Sequence, residues 1–252
     1  QTVMILRNGI KVADGSIADF DLASMAYYMT GRRITETSYS YDNSAHADQS
    51  LLRVEGFTLP GSFYNVSFDL KPGEIVGIAG LLGSGRTDLA LALFGVEPAM
   101  SGQVFVDGKP VRIKSIQDAM RHGIGYVPED RLTKGLFLQQ SIGRNVVIRI
   151  IDRMLGMANL LSQREMNRAI RAWVDRLSIK TRDPELPVSS LSGGNQQRVV
   201  LAKWLAAEPR ILILNGPTVG VDVGSKMELH DLIKDLARQG IGILIMSDDL
   251  PE

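Results

Sequence analysis

Gly80-Leu81-Leu82-Gly83-Ser84-Gly85-Arg86-Thr87 follows a short apolar run, Glu74-Ile-Val-Gly-Ile-Ala79, and leads into Asp88-Leu-Ala-Leu-Ala-Leu-Phe94. The first run reads as a buried strand and the second as a helix. Strand, glycine loop and helix make a phosphate cradle: the glycines let successive N–H groups turn toward one point, and the helix start adds its positive dipole end. The pattern is GxxxxGK[ST], with glycines at Gly80 and Gly85, the hydroxyl at Thr87 and Arg86 in the lysine place. A glycine turn before a helix is also often only a tight turn, so the rest of the chain decides.

Outward from this loop, apolar strands alternate with amphipathic helices. Upstream, Leu51–Glu55 and the alternating Tyr64–Leu70 read as strands, with Lys71-Pro-Gly73 as the turn before the loop strand. Downstream come an alternating strand, Gly102–Gly108, and a helix capped by Ser115 that runs to His122. A buried strand ends at Gly125–Pro128, and Glu129–Gly135 reads as a polar loop. Residues 141–188 read as helical, the clearest being Gln163–Leu177, whose Met166, Ile170, Trp173, Val174 and Leu177 share one face for core packing. Ile211–Leu214 is wholly apolar, as a central parallel strand requires. Ser225–Gln239 reads as a helix and Gly242–Met246 as a last buried strand. The fold class is α/β with a mostly parallel core sheet, an antiparallel β part and a helical part.

At 252 residues the chain has room for one large domain or somewhat more. It is 44% hydrophobic and 22% charged, with 28 basic and 28 acidic residues, so nothing suggests a general affinity for nucleic acid. There is no cysteine, and the three histidines, His46, His122 and His230, are scattered and make no metal constellation. No apolar run reaches the ~18 residues that span a bilayer, and no basic-then-apolar leader opens the sequence. The chain is expected in the cytosol, or at a membrane only through a partner.

Leu191-Ser-Gly-Gly-Asn-Gln-Gln197 is the most specific stretch. Ser192 and two glycines before a helix can form a second anion site at a helix N-terminus. At this point the chain resembles the ATP-binding cassette family, whose signature is LSGGQ. The form LSGGNQQ resembles the ATPase subunits of bacterial carbohydrate importers, which carry two cassettes in one polypeptide. The resemblance covers essentially the whole chain and implies an ABC-type P-loop NTPase fold. It implies ATP with Mg²⁺ as cofactors, Gly80, Gly83, Ser84, Gly85, Arg86, Thr87 and Asp88 around the phosphates, and Thr87 on the metal. The resemblance further implies that Leu191, Ser192, Gly193, Gly194, Asn195, Gln196 and Asp222, in the D-loop place, act on nucleotide from the other side. Glu129 takes the Q-loop place. Gly-Arg-Thr at 85–87 is similar to the second cassette of sugar importers.

Two places depart from the family pattern. Most cassettes carry Asp-Glu where this chain has Asn215-Gly216: the aspartate supports Mg²⁺ and the glutamate polarises water. A positioned general base contributes about 10²–10⁴-fold, so this site is expected to be poorly hydrolytic. In the switch region Ser247–Glu252, Asp248 stands where many cassettes have histidine and sugar importers' second cassettes usually serine. No aromatic is secure for adenine; Phe57, Phe63 and Tyr64 are near the right place, but strand packing explains each.

The resemblance divides the chain into residues 1–34, the hairpin and helix that end a preceding cassette; 35–50, a linker; and 51–252, a C-terminally truncated cassette with a helical subdomain at about 141–190. Asn8-Gly9 between apolar runs marks the hairpin turn, Asp19–Thr30 the helix and Gly31 its cap. The implied partners are a first cassette or a second copy, transmembrane permease subunits and, indirectly, a periplasmic sugar-binding protein, with no nucleic acid. The implied place is the cytoplasmic face of the bacterial inner membrane. A non-hydrolytic regulatory half and a soluble ABC ATPase are the alternatives, and the absence of a basic face disfavours the second. The hairpin at 1–13 is further expected to dock beside the strand at 242–246, because the linker can extend over roughly 50 Å.

Overall fold

The computed structural model describes residues 1–7, 9–31, 39–41, 50–156 and 160–248. Strands β5 (Ile75–Ala79), β8 (Ile124–Val127), β9 (Ile211–Asn215) and β10 (Gly242–Ser247) form a parallel sheet in the order β5-β10-β9-β8. Strands β3 (Leu52–Leu59), β4 (Phe63–Leu70), β6 (Ser101–Val106) and β7 (Lys109–Val111) form an antiparallel sheet in the order β4-β3-β6-β7. Helices α2 (Arg86–Leu93), α3 (Ile116–Arg121), α4 (Ile142–Val147), α5 (Gln163–Arg176), α6 (Gly193–Leu205) and α7 (Val223–Arg238) connect or cover them. The α/β fold is as expected.

The core follows from the apolar runs. Ile211, Leu212, Ile213, Leu214, Ile243 and Leu244 are wholly buried, each contributing about 1.5–3 kcal/mol. Such two-sided burial requires helices on both faces of a parallel sheet. On α5, Ile170 is buried and Met166, Trp173 and Val174 pack against the core, leaving the arginines of the other face exposed. Arg210 closes the space between the sheets by pairing bidentately with Asp107, at 2.5 and 2.6 Å.

Four differences from the sequence reading bear on how the chain is arranged. Strand β5 is an edge, with Gly77 and Ala79 exposed rather than buried, because its other side carries no strand among the described residues. The polar stretch after β8 is not a plain loop: Arg131–Gly135 forms one wide helical turn, since Asp130 caps the N–H groups of Leu132 and Thr133. Within the presumed linker, the hydroxyls of Tyr39 and Tyr41 donate to the Gly73 and Pro72 carbonyls of the turn before β5. Residues 35–38 and 42–49 of that segment, with Asn8, 32–34, 157–159 and 249–252, lie outside the described residues.

The fourth difference corrects the docking of the N-terminal hairpin. Among the described residues, strands β1 (Thr2–Arg7) and β2 (Ile10–Ser16) pair only with each other, whereas β10 pairs with β5 and β9. Helix α1 (Leu22–Thr30), capped by Asp21 and ended by left-handed Gly31, supplies the reason. It covers the inner hairpin face, burying Ile5 and Ala26, and packs onto the start of α7, where Thr30 approaches Gly224. With that face used, Met4, Leu6 and Ile10 stay exposed.

Candidate functional site

Strand β5 delivers the chain to Gly80, whose N–H donates to the Ser247 carbonyl at the end of β10 (3.3 Å). The loop then turns on Gly83 and Gly85, both left-handed at φ +82° and +85°, a region costly for side chains. Gly85 caps α2 without a side chain, and a Cβ there would strike the Ser62 carbonyl in the β3–β4 turn. Ser84 folds under Gly80, where a Cβ would meet its hydroxyl. Arg86 is 6% exposed; its Nη1 donates to the Gly80 carbonyl and its Nη2 lies 3.4 Å from Asp248 Oδ1. Asp88 is tied to the Ser62 hydroxyl instead of facing the loop. Leu81 and Leu82 project into solvent.

Thr87 opens onto a cleft of about 420 Å³ that it shares with Tyr126, Glu129, Asp130, Arg131, Lys134 and Asn215. Asn215 ends β9 and is 1% exposed. Its Nδ2 donates to Thr87 Oγ1 at 3.3 Å and, weakly, to the Tyr126 hydroxyl at 3.5 Å, while its Oδ1 has no partner. Burial pushes the Tyr126 phenol above its usual value, overcoming the Asn215 hydrogen bond that lowers it. A buried, unpaired amide oxygen is costly and marks a place where an outside partner fits. Beside it, Gly216 sits at φ +54°, and a Cβ would lie 2.9 Å from Val219 Cγ2 and 3.0 Å from Glu129 Cγ. The Glu129 stem thus fills the space that a side chain at 216 would use. Asp130 is engaged in its cap, and the Thr133 hydroxyl holds its carboxyl below the usual range.

Arg131 ties this cleft to the signature helix. Its Nη1 and Nη2 donate to the carbonyls of Val219 (2.6 Å) and Gly220 (2.9 Å), and its Nε reaches Gln196 Oε1 at 3.5 Å. Neither Arg131 nor Tyr126 was singled out from sequence. Arg131 stood in a polar stretch with no signal of its long-range contacts, and Tyr126 read as part of a buried strand.

At the signature, Ser192 is the N-cap of α6 and is exposed, but its hydroxyl caps no backbone N–H. It accepts instead from Asn195 Nδ2 (3.0 Å), while Asn195 Oδ1 takes the Lys180 N–H (2.8 Å). The first N–H groups of α6 therefore have no side-chain cap, as an anion-binding helix start requires. Gly193 and Gly194 serve close packing: a Cβ at Gly194 would lie 2.5 Å from Ser225 Oγ, and one at Gly193 would lie 2.8 Å from the Gly220 carbonyl. Leu191 packs on the core. Asp222 caps α7 through the Ser225 N–H (3.0 Å); burial raises its carboxyl, but that bond and its neighbours outweigh it and hold it low.

The structure thus gathers Thr87, Asn215 and Glu129 around one cleft, with Gly216 beside the Glu129 stem, and joins Arg86 to Asp248. Gly193, Gly194 and Asp222 are assembled at a second place, and Ser192 does not line the Thr87 cleft. Phe57 and Phe63 stack on each other at 5.8 Å within the antiparallel sheet, while Tyr64 is exposed and accepts the Gly61 N–H. Among the described residues no cluster of three or more His, Asp or Glu could hold a metal, and no helix is long and apolar enough to cross a membrane.

A family model described as ABC transporter matches residues 63–219, from the start of β4 past the Asn215-Gly216 turn. The chain belongs to the ABC transporter family. A ribose import ATP-binding protein of Geobacillus kaustophilus is 41% identical over 250 residues, covering 99% of this chain and 50% of that protein. A putative ribose/galactose/methyl galactoside import ATP-binding protein of Rhizobium etli is 39% identical over 250 residues, covering 99% and 47%. The chain spans about half the length of these curated relatives. Among solved structures, a nucleotide-free ATP-binding cassette of an ABC transporter aligns with a TM-score of 0.68 at 21% identity, covering 80% of this chain and 83% of that one. A dimeric cassette bound to ADP and Pi aligns at 0.65 and 22%, covering 79% and 89%. At such identities these two establish the shared ABC fold.

Proposed function

We propose that this chain is the second cassette of a bacterial sugar importer's ATP-binding subunit, and that its own nucleotide site is poorly hydrolytic while its signature completes a partner's site. The import relatives named above support the sugar reading. The observation that carries the division of labour is the contrast at the two helix starts. Asn215 brings a neutral amide to the Thr87 cleft, Gly216 brings no side chain, and the signature helix α6 presents an exposed, uncapped N-terminus.

The cleft fits Mg²⁺ bound with ATP. Thr87 Oγ1 and the unpaired, buried Asn215 Oδ1 are oxygen donors of the kind a hard cation takes, and their two residues line the same cleft. These two residues would hold the ion, which offsets charge on the phosphates. Around it, Gly80–Gly85 would present N–H groups to the phosphates, Thr87 would position them, and Glu129 would be the uncommitted carboxylate of the cleft. Without a negative charge at 215 the metal is held weakly, and without a carboxylate at 216 the attacking water loses its usual base.

The partners in this reading are a first cassette or a second copy, transmembrane permease subunits and, through them, a sugar-binding protein, at the cytoplasmic face of the membrane. ATP hydrolysis by purified 1–252 tests the site: turnover at background is expected. Turnover that is abolished by Thr87→Ala would overturn it. A non-hydrolytic regulatory half is the second reading, favoured by the same Asn215-Gly216 pair; co-purification of the full-length protein with a permease separates the two.

A further inference from the structure

The phosphate loop carries its own anion. Arg86 is almost wholly buried, with one guanidinium nitrogen on the Gly80 carbonyl and another 3.4 Å from the Asp248 carboxylate. Asp248 is 53% exposed and directly follows β10, whose last residue, Ser247, accepts the Gly80 N–H. The carboxylate is therefore anchored beside the first residue of the loop. Arginine binds anions through a planar fork, and here the fork is shared between a backbone carbonyl and a side-chain carboxylate of the same chain. A polyphosphate arriving at the loop meets a cation already paired and a like charge next to it.

We propose that Asp248 acts as an internal competitor for Arg86 that sets the nucleotide affinity of this site: a nucleoside triphosphate binds only as Asp248 gives up the arginine to its phosphates. Asp248 is a positioning residue in this scheme, acting through Arg86. The proposal rests on the nucleotide-site reading above and goes beyond it, since the site is weakened by an added anion as well as by the lost carboxylates. The pair is partly solvated, so its grip falls with ionic strength.

The test is Mg-ATP and Mg-ADP binding to chain 1–252, by calorimetry at low and high salt, for the wild type, Asp248→Asn, Asp248→Ser, Arg86→Ala and the double variant Arg86→Ala with Asp248→Asn. Asp248→Asn and Asp248→Ser are expected to tighten ATP binding about tenfold at low salt, ADP less, with the gain shrinking at high salt. A gain in affinity is an effect that structural damage does not produce, and two replacements guard against one that misfolds. In the Arg86→Ala background the same Asp248→Asn change is expected to gain at most half as much, a coupling read from the double-mutant cycle. Affinity unchanged or weakened in both Asp248 variants, or an undiminished gain without Arg86, would overturn the proposal while leaving the nucleotide site standing. No binding by any variant would overturn the nucleotide-site reading, and the proposal with it.

Discussion

Two helices of this molecule begin in glycine-rich turns, and their starts are treated in opposite ways. At α2 the loop is closed by the chain's own side chains: Arg86 covers the Gly80 carbonyl and pairs with Asp248, and Asp88 is tied to Ser62. At α6 the start is left open: Ser192 caps no N–H, and the glycines serve to seat the helix against Gly220 and Ser225. Both have the dipole and the free N–H groups that favour anions. The difference teaches that a glycine turn makes a phosphate site possible, and that neighbouring charges decide whether it is available.

The comparison breaks most decisively through Ser192. In the importer proposed above, Ser192→Arg is expected to abolish sugar uptake, a loss of at least about a hundredfold, because a long cation replaces the exposed hydroxyl at an open helix start. Transport assays in cells check this; unchanged uptake would remove the reason for calling the α6 end functional.

Lys203 lies near the far end of α6. It is buried, donates to the Gly135 carbonyl that closes the Arg131 turn, and has no carboxylate partner among the described residues. Burial, helped by the nearby Arg149, lowers its pKa to about 8 from 10.5. The unfolded chain therefore binds more protons between these values, so stability rises as pH goes from about 8 to 10.5. The gain is up to about 3 kcal/mol. Denaturant melts across that range should show the rise, and Lys203→Met should flatten it.

A smaller effect is expected at the seat of α6. Gly194→Ala places a methyl against Ser225 and should cost about 1–3 kcal/mol through overpacking, measured by urea unfolding; a neutral result would show that α6 and α7 can move apart. Smallest is Asn215→Asp at the closed end. It should tighten Mg²⁺ about tenfold, roughly 1.4 kcal/mol, when nucleotide is bound, without restoring turnover. A glutamate introduced at 216 is not expected to restore it either, since φ there is +54° and Glu129 occupies the space.

Much of this was readable in advance. The strands β9 and β10 were legible because a run of consecutive apolar residues has few other homes, and Ser115 and Gly31 act where caps are expected, while the helix read from Asp19 starts only at Leu22 under an Asp21 cap. The Asn215-Gly216 departure was legible as chemistry, because a missing carboxylate is visible in the letters. The hairpin was found, but its place was not. Its apolar alternation does not say whether a sheet or a helix covers it, and α1 lies close enough in sequence to reach it first. The buried reading of β5 failed for a similar reason: composition reports that a strand is apolar, not how many neighbours it has.

The sequence by itself determined the element order, the phosphate loop, the signature and the neutral residue at the end of β9, because these depend on residue type and local spacing. Only the tertiary structure decided that Arg86 turns onto Gly80 and Asp248, that Glu129 fills the space beside Gly216, and that Arg131 joins the cleft to α6. Each of these contacts joins side chains set by different strands and loops, and a long side chain's direction is chosen by the partners the fold brings within reach.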